Sequence, residues 1–164
     1  MKIVVLKFGG TSVGTIEKIK KVTDIIIEHK KKKNKVIVVS SAMSGVTNDL
    51  IKKSKQISNN FIDSEYDVLV SSGEQVACSL IAGRLNHKGF KSRSWLGWQI
   101  PIFTNGPYTN SRIQQVNKNK LLRFLKEGGI PIITGFQGVN MNERVTTIGR
   151  GGSDASAIMI AKSF

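Results

Sequence analysis

A single cysteine, Cys78, leaves no partner for an internal disulfide in these 164 residues, so no covalent scaffold ties the chain together. Its setting, "EQVACSLIAG", reads as a buried helix face, where a thiol packs as a small apolar group rather than reacting. No apolar run approaches the roughly 20 residues that cross a bilayer. The first residues also lack the basic region, apolar stretch and cleavage site of a signal peptide, which makes the cytoplasm the default compartment. The two histidines, His29 and His87, stand in polar helix-end contexts, and no Ser/His/Asp or Cys/His arrangement or zinc-ligand spacing is present. Two tryptophans and two tyrosines are too scattered to form a base-stacking surface.

Acidic residues are scarce too, 11 against 25 lysines and arginines, for a net charge of +14. Such an excess raises nucleic acid as a partner, but no zinc, RRM or KH signature accompanies it. The densest run, "HKKKKNK" at 29–35, falls where a first helix should end, and cations there complement the negative end of the helix dipole. The charge fits small anionic substrates without identifying one.

With 40% hydrophobic and 22% charged residues the composition is that of an ordinary globular domain, long enough to bury a core. Strand and helix patterns alternate from end to end. Strands are expected at 2–8, 35–40, 90–95, 100–105 and 130–136. Helices are expected at 15–32, with Ile16, Ile19, Val22, Ile25 and Ile26 on one face, at 46–57, at 64–87 with an interruption near "SSGE", at 117–127, and from the glycines at 151 to the end. A hairpin is expected around "NMNERVTTIG". Alternation of this kind specifies an α/β domain with a largely parallel sheet, and no repeat, linker or low-complexity segment interrupts it.

Ligands of open α/β sheets collect beyond the carboxyl ends of the strands, and four loops qualify. "KFGGTS" follows the first strand and is not a Walker A loop, which needs G-x-x-x-x-G-K-[ST]. "SSAMSGVTN" follows the second, "SSGE" carries Glu74 at a helical start, and "GRGGSD" opens the final helix. Singly, each has a structural explanation: Ser44, Thr47 and Ser153 suit helix caps, and Asp154 a first-turn acid. Jointly they offer two Gly-rich turns at helix starts, with basic residues Lys7 and Arg150 and hydroxyls Thr11, Ser12 and Ser153. Two anionic groups held together is the requirement of phosphoryl transfer to an acidic acceptor. A carboxylate acceptor, with an ordinary pKa of about 4, needs no base at neutral pH.

"KFGGTSV" at 7–13, "SAMSGVTN" at 41–48, "SSGEQV" at 71–76, "GWQIPIFTN" at 97–105, "GFQGVN" at 135–140 and "TTIGRGGSDASA" at 146–157 resemble, in order, the motifs of the aspartate kinases of the amino acid kinase family. The resemblance implies a three-layer α/β/α sandwich. It also implies transfer from ATP, with Mg²⁺ carried by the nucleotide, to L-aspartate, giving 4-phospho-L-aspartate at the entry to lysine, threonine and methionine. On matching positions Lys7 stabilises the phosphoryl group, and Gly9 and Gly10 offer backbone N–H groups. Thr47, Glu74, Arg150 and Ser153 hold aspartate, and Asp154 organises the reacting centre through Lys7. Thr11 and Ser12 are further phosphate or substrate donors. Family members continue past GRGGSD into a half that holds most nucleotide contacts, and then into ACT domains. The expectation is therefore the amino-acid-substrate part, residues 1–164, of a truncated kinase domain without an ACT domain. It would form a homo-oligomer or associate with a C-terminal part, and have weak or no activity alone. A non-catalytic aspartate- or phosphate-binding fragment, or another carboxylate-directed amino acid kinase, remains the alternative.

Overall fold

A computed structural model describes residues 2–149 and 151–164. The elements, in order, are β1 (Ile3–Phe8), α1 (Ile16–Lys31), β2 (Lys35–Ser40), α2 (Val46–Ile57), α3 (Asp63–His87), β3 (Ser92–Trp95), β4 (Ile102–Asn105), β5 (Arg112–Val116), α4 (Asn119–Lys126), β6 (Ile130–Thr134), β7 (Gln137–Val139), β8 (Val145–Thr147) and α5 (Gly152–Ser163). The main sheet is wholly parallel, in the order β1-β2-β6-β3. A second sheet, β5-β4-β7-β8, is mixed and contains the expected hairpin as β7 and β8.

Strand alternation divides the core between the two faces of the parallel sheet. Val36 and Val38 join Ile130 and Ile132 under α1 and α3, through Val22, Ile26, Ile81 and Leu85. Ile37, Val39 and Ile133 face the other way, onto Leu121 and Leu125 of α4, Ile160 of α5 and Ile102 of β4. Helices on both faces make the three-layer α/β/α arrangement that the resemblance implies.

Three local expectations are corrected. In α1, Ile19, Val22 and Ile26 are buried, but Ile16 and Ile25 stay exposed, because they lie roughly 90° to either side of that stripe. α3 runs unbroken through "SSGE": Ser71 and Ser72 donate their hydroxyls to Val68 O and Leu69 O within the helix. A Cβ on Gly73 would lie 2.9 Å from Ala42 Cβ, so this glycine admits a neighbouring loop rather than breaking the helix. β5 is an element that the sequence reading does not anticipate. None of its residues is fully buried, its two partly buried positions, Ile113 and Val116, are three apart, and its pairing with β4 is bulged, so the alternation that marks a strand is missing.

Candidate active site

β1, β2 and β6 end level with one another, Phe8 beside Ser40 and Ser40 beside Thr134. The loops leaving these three ends, together with α3 and the start of α5, enclose a cavity of about 380 Å³ lined by Lys7, Gly9, Gly10, Thr47, Glu74, Ser153 and Asp154, among others. Residues far apart in sequence thus converge at the carboxyl edge of the sheet, where α/β domains bind ligands.

Lys7 reaches the cavity by strand alternation. Ile3 and Val5 pack on the face that carries α5, and Lys7, two residues on, shares that face. Its Nζ lies 2.8 Å from Asp154 Oδ1, in the first turn of α5. Asp154 therefore occupies the first-turn position favoured by the helix dipole and also holds the lysine. Gly10 brings the first loop against the second, since a Cβ there would stand 3.0 Å from Ala42 O.

The helix starts around the cavity differ from the sequence expectation. After Gly9 a turn closes through Ser12 N–H and Val13 N–H donating to Gly9 O, and α1 begins only at Ile16, capped by Thr15. The helices that begin at the cavity are α2 and α5, each preceded by a left-handed glycine, Gly45 (φ 87°) and Gly151 (φ 75°), without a side-chain cap. Ser44, Thr47 and Ser153 are therefore not caps: the glycines hold those places, leaving the Thr47 and Ser153 side chains on the cavity wall. Thr11 and Ser12 are exposed on the first turn and do not line the cavity. Arg150 lies outside the described residues.

Glu74 sits mid-helix rather than at a helix start. Its side chain is buried, Oε1 accepts the Ala42 N–H at 3.1 Å, and Oε2 has no hydrogen-bond partner among the described residues. Burial raises its pKa to about 7, against a smaller downward pull from the Ala42 amide. An unsatisfied carboxylate oxygen in a buried place is costly, and a cationic group entering the cavity would relieve that cost. Cys78, one turn further along α3, is buried, and burial pushes its thiol pKa far up. It is a core residue, as its sequence setting predicts.

Two residues that support the site escape the sequence reading. Phe136, on the cavity wall, has φ 68°, and its N–H donates to Ser156 Oγ, which itself donates to Gly152 O. This fastens the β6–β7 turn to the start of α5. Asp67, buried in α3, accepts hydrogen bonds from Thr109 N–H and from the N–H and hydroxyl of Thr147. Burial raises its pKa despite these bonds. Phe136 lies within the "GFQGVN" motif just beyond β6, but nothing in that motif singles out its side chain or its left-handed backbone. Asp67 resembles any polar helix residue until its partners are known.

Among known proteins, aspartokinase of Geobacillus stearothermophilus is 47% identical over 164 residues, all of this chain and 40% of the relative. Aspartokinase of Rickettsia conorii is 46% identical over 167 aligned residues, again all of this chain and 42% of the relative. The chain thus spans about two fifths of the length of these curated relatives. The crystal structure of aspartate kinase from Synechocystis, 37% identical, superposes with a TM-score of 0.81 over 98% of this chain and 26% of that one. E. coli aspartokinase III, solved with aspartate and ADP, shares the fold at a TM-score of 0.85 and 24% identity, over 99% of this chain and 47% of that one. The amino acid kinase family model matches residues 2–164, and the chain belongs to that family.

Proposed function

We propose that this chain supplies the acceptor side and the transfer lysine of an aspartate kinase, which moves the terminal phosphoryl group of ATP to the side-chain carboxylate of L-aspartate and yields 4-phospho-L-aspartate. The observation that carries this reading is the Lys7–Asp154 ion pair at 2.8 Å in the same cavity as buried Glu74 with its unpartnered oxygen.

In this reading Glu74 receives the substrate ammonium group, which gives Oε2 its partner. Hydroxyls of Thr47 and Ser153 hold the substrate, with Arg150 forking a carboxylate as its motif implies. The acceptor carboxylate is ionised at neutral pH and attacks without a base. Lys7 and the backbone N–H groups of Gly9 and Gly10 meet the negative charge of the phosphoryl group in transfer, and Asp154 holds Lys7 at that point. Positioning and charge neutralisation account for most catalysis of phosphoryl transfer. Mg²⁺ would come with the nucleotide, whose phosphate oxygens are the ligands this hard cation favours. The reaction is placed in the cytoplasm. The chain, residues 1–164, is the substrate-binding part of the kinase domain and works with a second copy or with a C-terminal part.

The test is hydroxylamine trapping of acyl phosphate with MgATP and L-aspartate, on the chain alone and with the C-terminal part of the Geobacillus stearothermophilus enzyme added in trans. Aspartate-dependent hydroxamate that Lys7→Ala removes is expected. A folded chain that neither binds L-aspartate by calorimetry nor gives hydroxamate in either mixture overturns the reading.

A further inference from the structure

A second cavity, of about 440 Å³, opens at β3, the edge of the parallel sheet farthest from β1, and is walled on its other side by α4. It shares no lining residue with the cavity at Lys7. Its walls combine the cations Arg93, Lys120 and Arg123 with the rings of Trp95, Trp98 and Phe124.

The polar groups of this cavity divide into satisfied and unsatisfied ones. Lys120 Nζ donates to Gln99 O at 2.8 Å. Glu127, the acid on these walls, is taken by Lys91, Nζ to Oε2 at 2.6 Å. Arg93 lies over the Trp95 ring at 4.0 Å, and neither its guanidinium nor that of Arg123 has a carboxylate within 4.0 Å among the described residues. Trp95 is 5% exposed, and its indole N–H has no acceptor among the described residues. An oxygen-bearing anion entering the cavity would meet two exposed guanidiniums that have no carboxylate in contact, although Arg123 also acts on Glu127 from a distance. A guanidinium fork matches the paired oxygens of a carboxylate or phosphate. Trp98, half exposed, offers an open aromatic face, and flat rings stack on such faces. The volume suits a small molecule.

We propose that this cavity binds a small organic oxyanion joined to a flat ring, with the oxyanion between Arg93 and Arg123 and the ring against Trp98. The assignment is independent of the kinase reading, which uses none of these residues.

The two tryptophans give two indole signals in a ¹⁵N-resolved proton spectrum, assigned with Trp98→Phe. The chain is titrated with phenylpyruvate and with adenosine monophosphate, and separately with inorganic phosphate and with benzyl alcohol, which carry the anion or the ring alone. At least one ring-bearing anion is expected to move the Trp95 signal saturably, and whichever binds shows whether carboxylate or phosphate is preferred. Either half-ligand should bind about tenfold or more weakly, and Arg123→Gln, which removes one fork and no ring, should weaken binding about tenfold or more. Lys7→Ala should leave the titration unchanged. The proposal fails if neither ring-bearing anion moves the Trp95 signal saturably at millimolar concentration, or if Arg123→Gln binds as the parent does in a chain with a dispersed, folded spectrum.

Discussion

Asp67 accepts two hydrogen bonds from Thr147, its Oδ2 from the backbone N–H at 2.8 Å and its Oδ1 from the side-chain hydroxyl at 2.7 Å. The same carboxylate takes the Thr109 N–H at 3.0 and 3.1 Å. Thr147 ends β8, two residues before Gly149 on the cavity wall. A side chain that touches no part of the cavity thus fixes the strand leading to it, and does so from α3, the helix that carries Glu74.

Replacing Asp67 by Ala strands these donors in the interior, and is expected to cost about 3 kcal/mol, whereas Asp67→Asn keeps one acceptor oxygen and should cost less. Urea unfolding reads this as a fall in midpoint at unchanged slope.

Glu74 gives a stability profile of opposite sign to that of a surface carboxylate. Its pKa is about 7 when folded and near 4.5 ordinarily, so between those values the native state binds a proton that the unfolded state does not. The contribution of Glu74 to stability is then fully present below about pH 4.5 and is lost as pH rises to about 7, by up to ~3 kcal/mol. Asp67, also raised by burial, adds a slope of the same sign at the lower end. Unfolding measured across this range should show Glu74→Gln with a flatter profile. An ammonium-bearing ligand should bind more tightly as pH approaches 7 and should release a proton on binding at lower pH, which calorimetry in buffers of different ionisation heat detects.

Lys7→Ala should lower hydroxamate formation about 10²- to 10³-fold. Asp154→Asn should lower it by less, since the lysine remains but is no longer held. The Lys7–Asp154 pair is partly exposed, so each change should alter unfolding free energy by under about 1 kcal/mol. A large loss of stability in either variant would show that the pair supports the fold rather than the chemistry.

Two glycines near the cavity should respond differently to alanine. At Gly135 a Cβ would stand 2.7 Å from Ser153 Oγ and 3.0 Å from Ser153 Cα. Gly135→Ala therefore pushes the start of α5 away and should cost about 1–3 kcal/mol together with ligand affinity. At Gly45 the space is open and the constraint is φ 87°, so Gly45→Ala should cost about 1–2 kcal/mol through backbone strain alone. Urea midpoints and ligand titrations on both variants separate the two effects.

Cys78 should resist a thiol reagent such as dithiobisnitrobenzoate in the native chain and react promptly in denaturant. Fast native labelling would contradict its burial.

Much of this arrangement is legible in the sequence because it rests on local patterns. The parallel strands are marked by continuous branched apolar runs such as "KVIVVS", and the cavity loops by glycines and hydroxyls at strand ends. What stays hidden depends on partners distant in sequence. "SSGE" looks like a helix break until Gly73 is seen to face Ala42, and Asp67 is inconspicuous until Thr147 arrives 80 residues later. Ser44 and Thr47 resemble caps because sequence shows the hydroxyls but not that Gly45 has taken the left-handed turn.

The position of β6 between β2 and β3 carries a consequence for how the chain acquires its shape. β1, α1 and β2 form a local unit that can close early, but one edge of β2 must wait for a strand that begins at Ile130. Until then Val36 to Val39, all fully buried in the finished sheet, stand open on a strand edge. Pairings so distant in sequence are slow to form, and apolar edges exposed in the meantime invite aggregation. During synthesis, the vulnerable stretch of this chain is the one that ends up best protected.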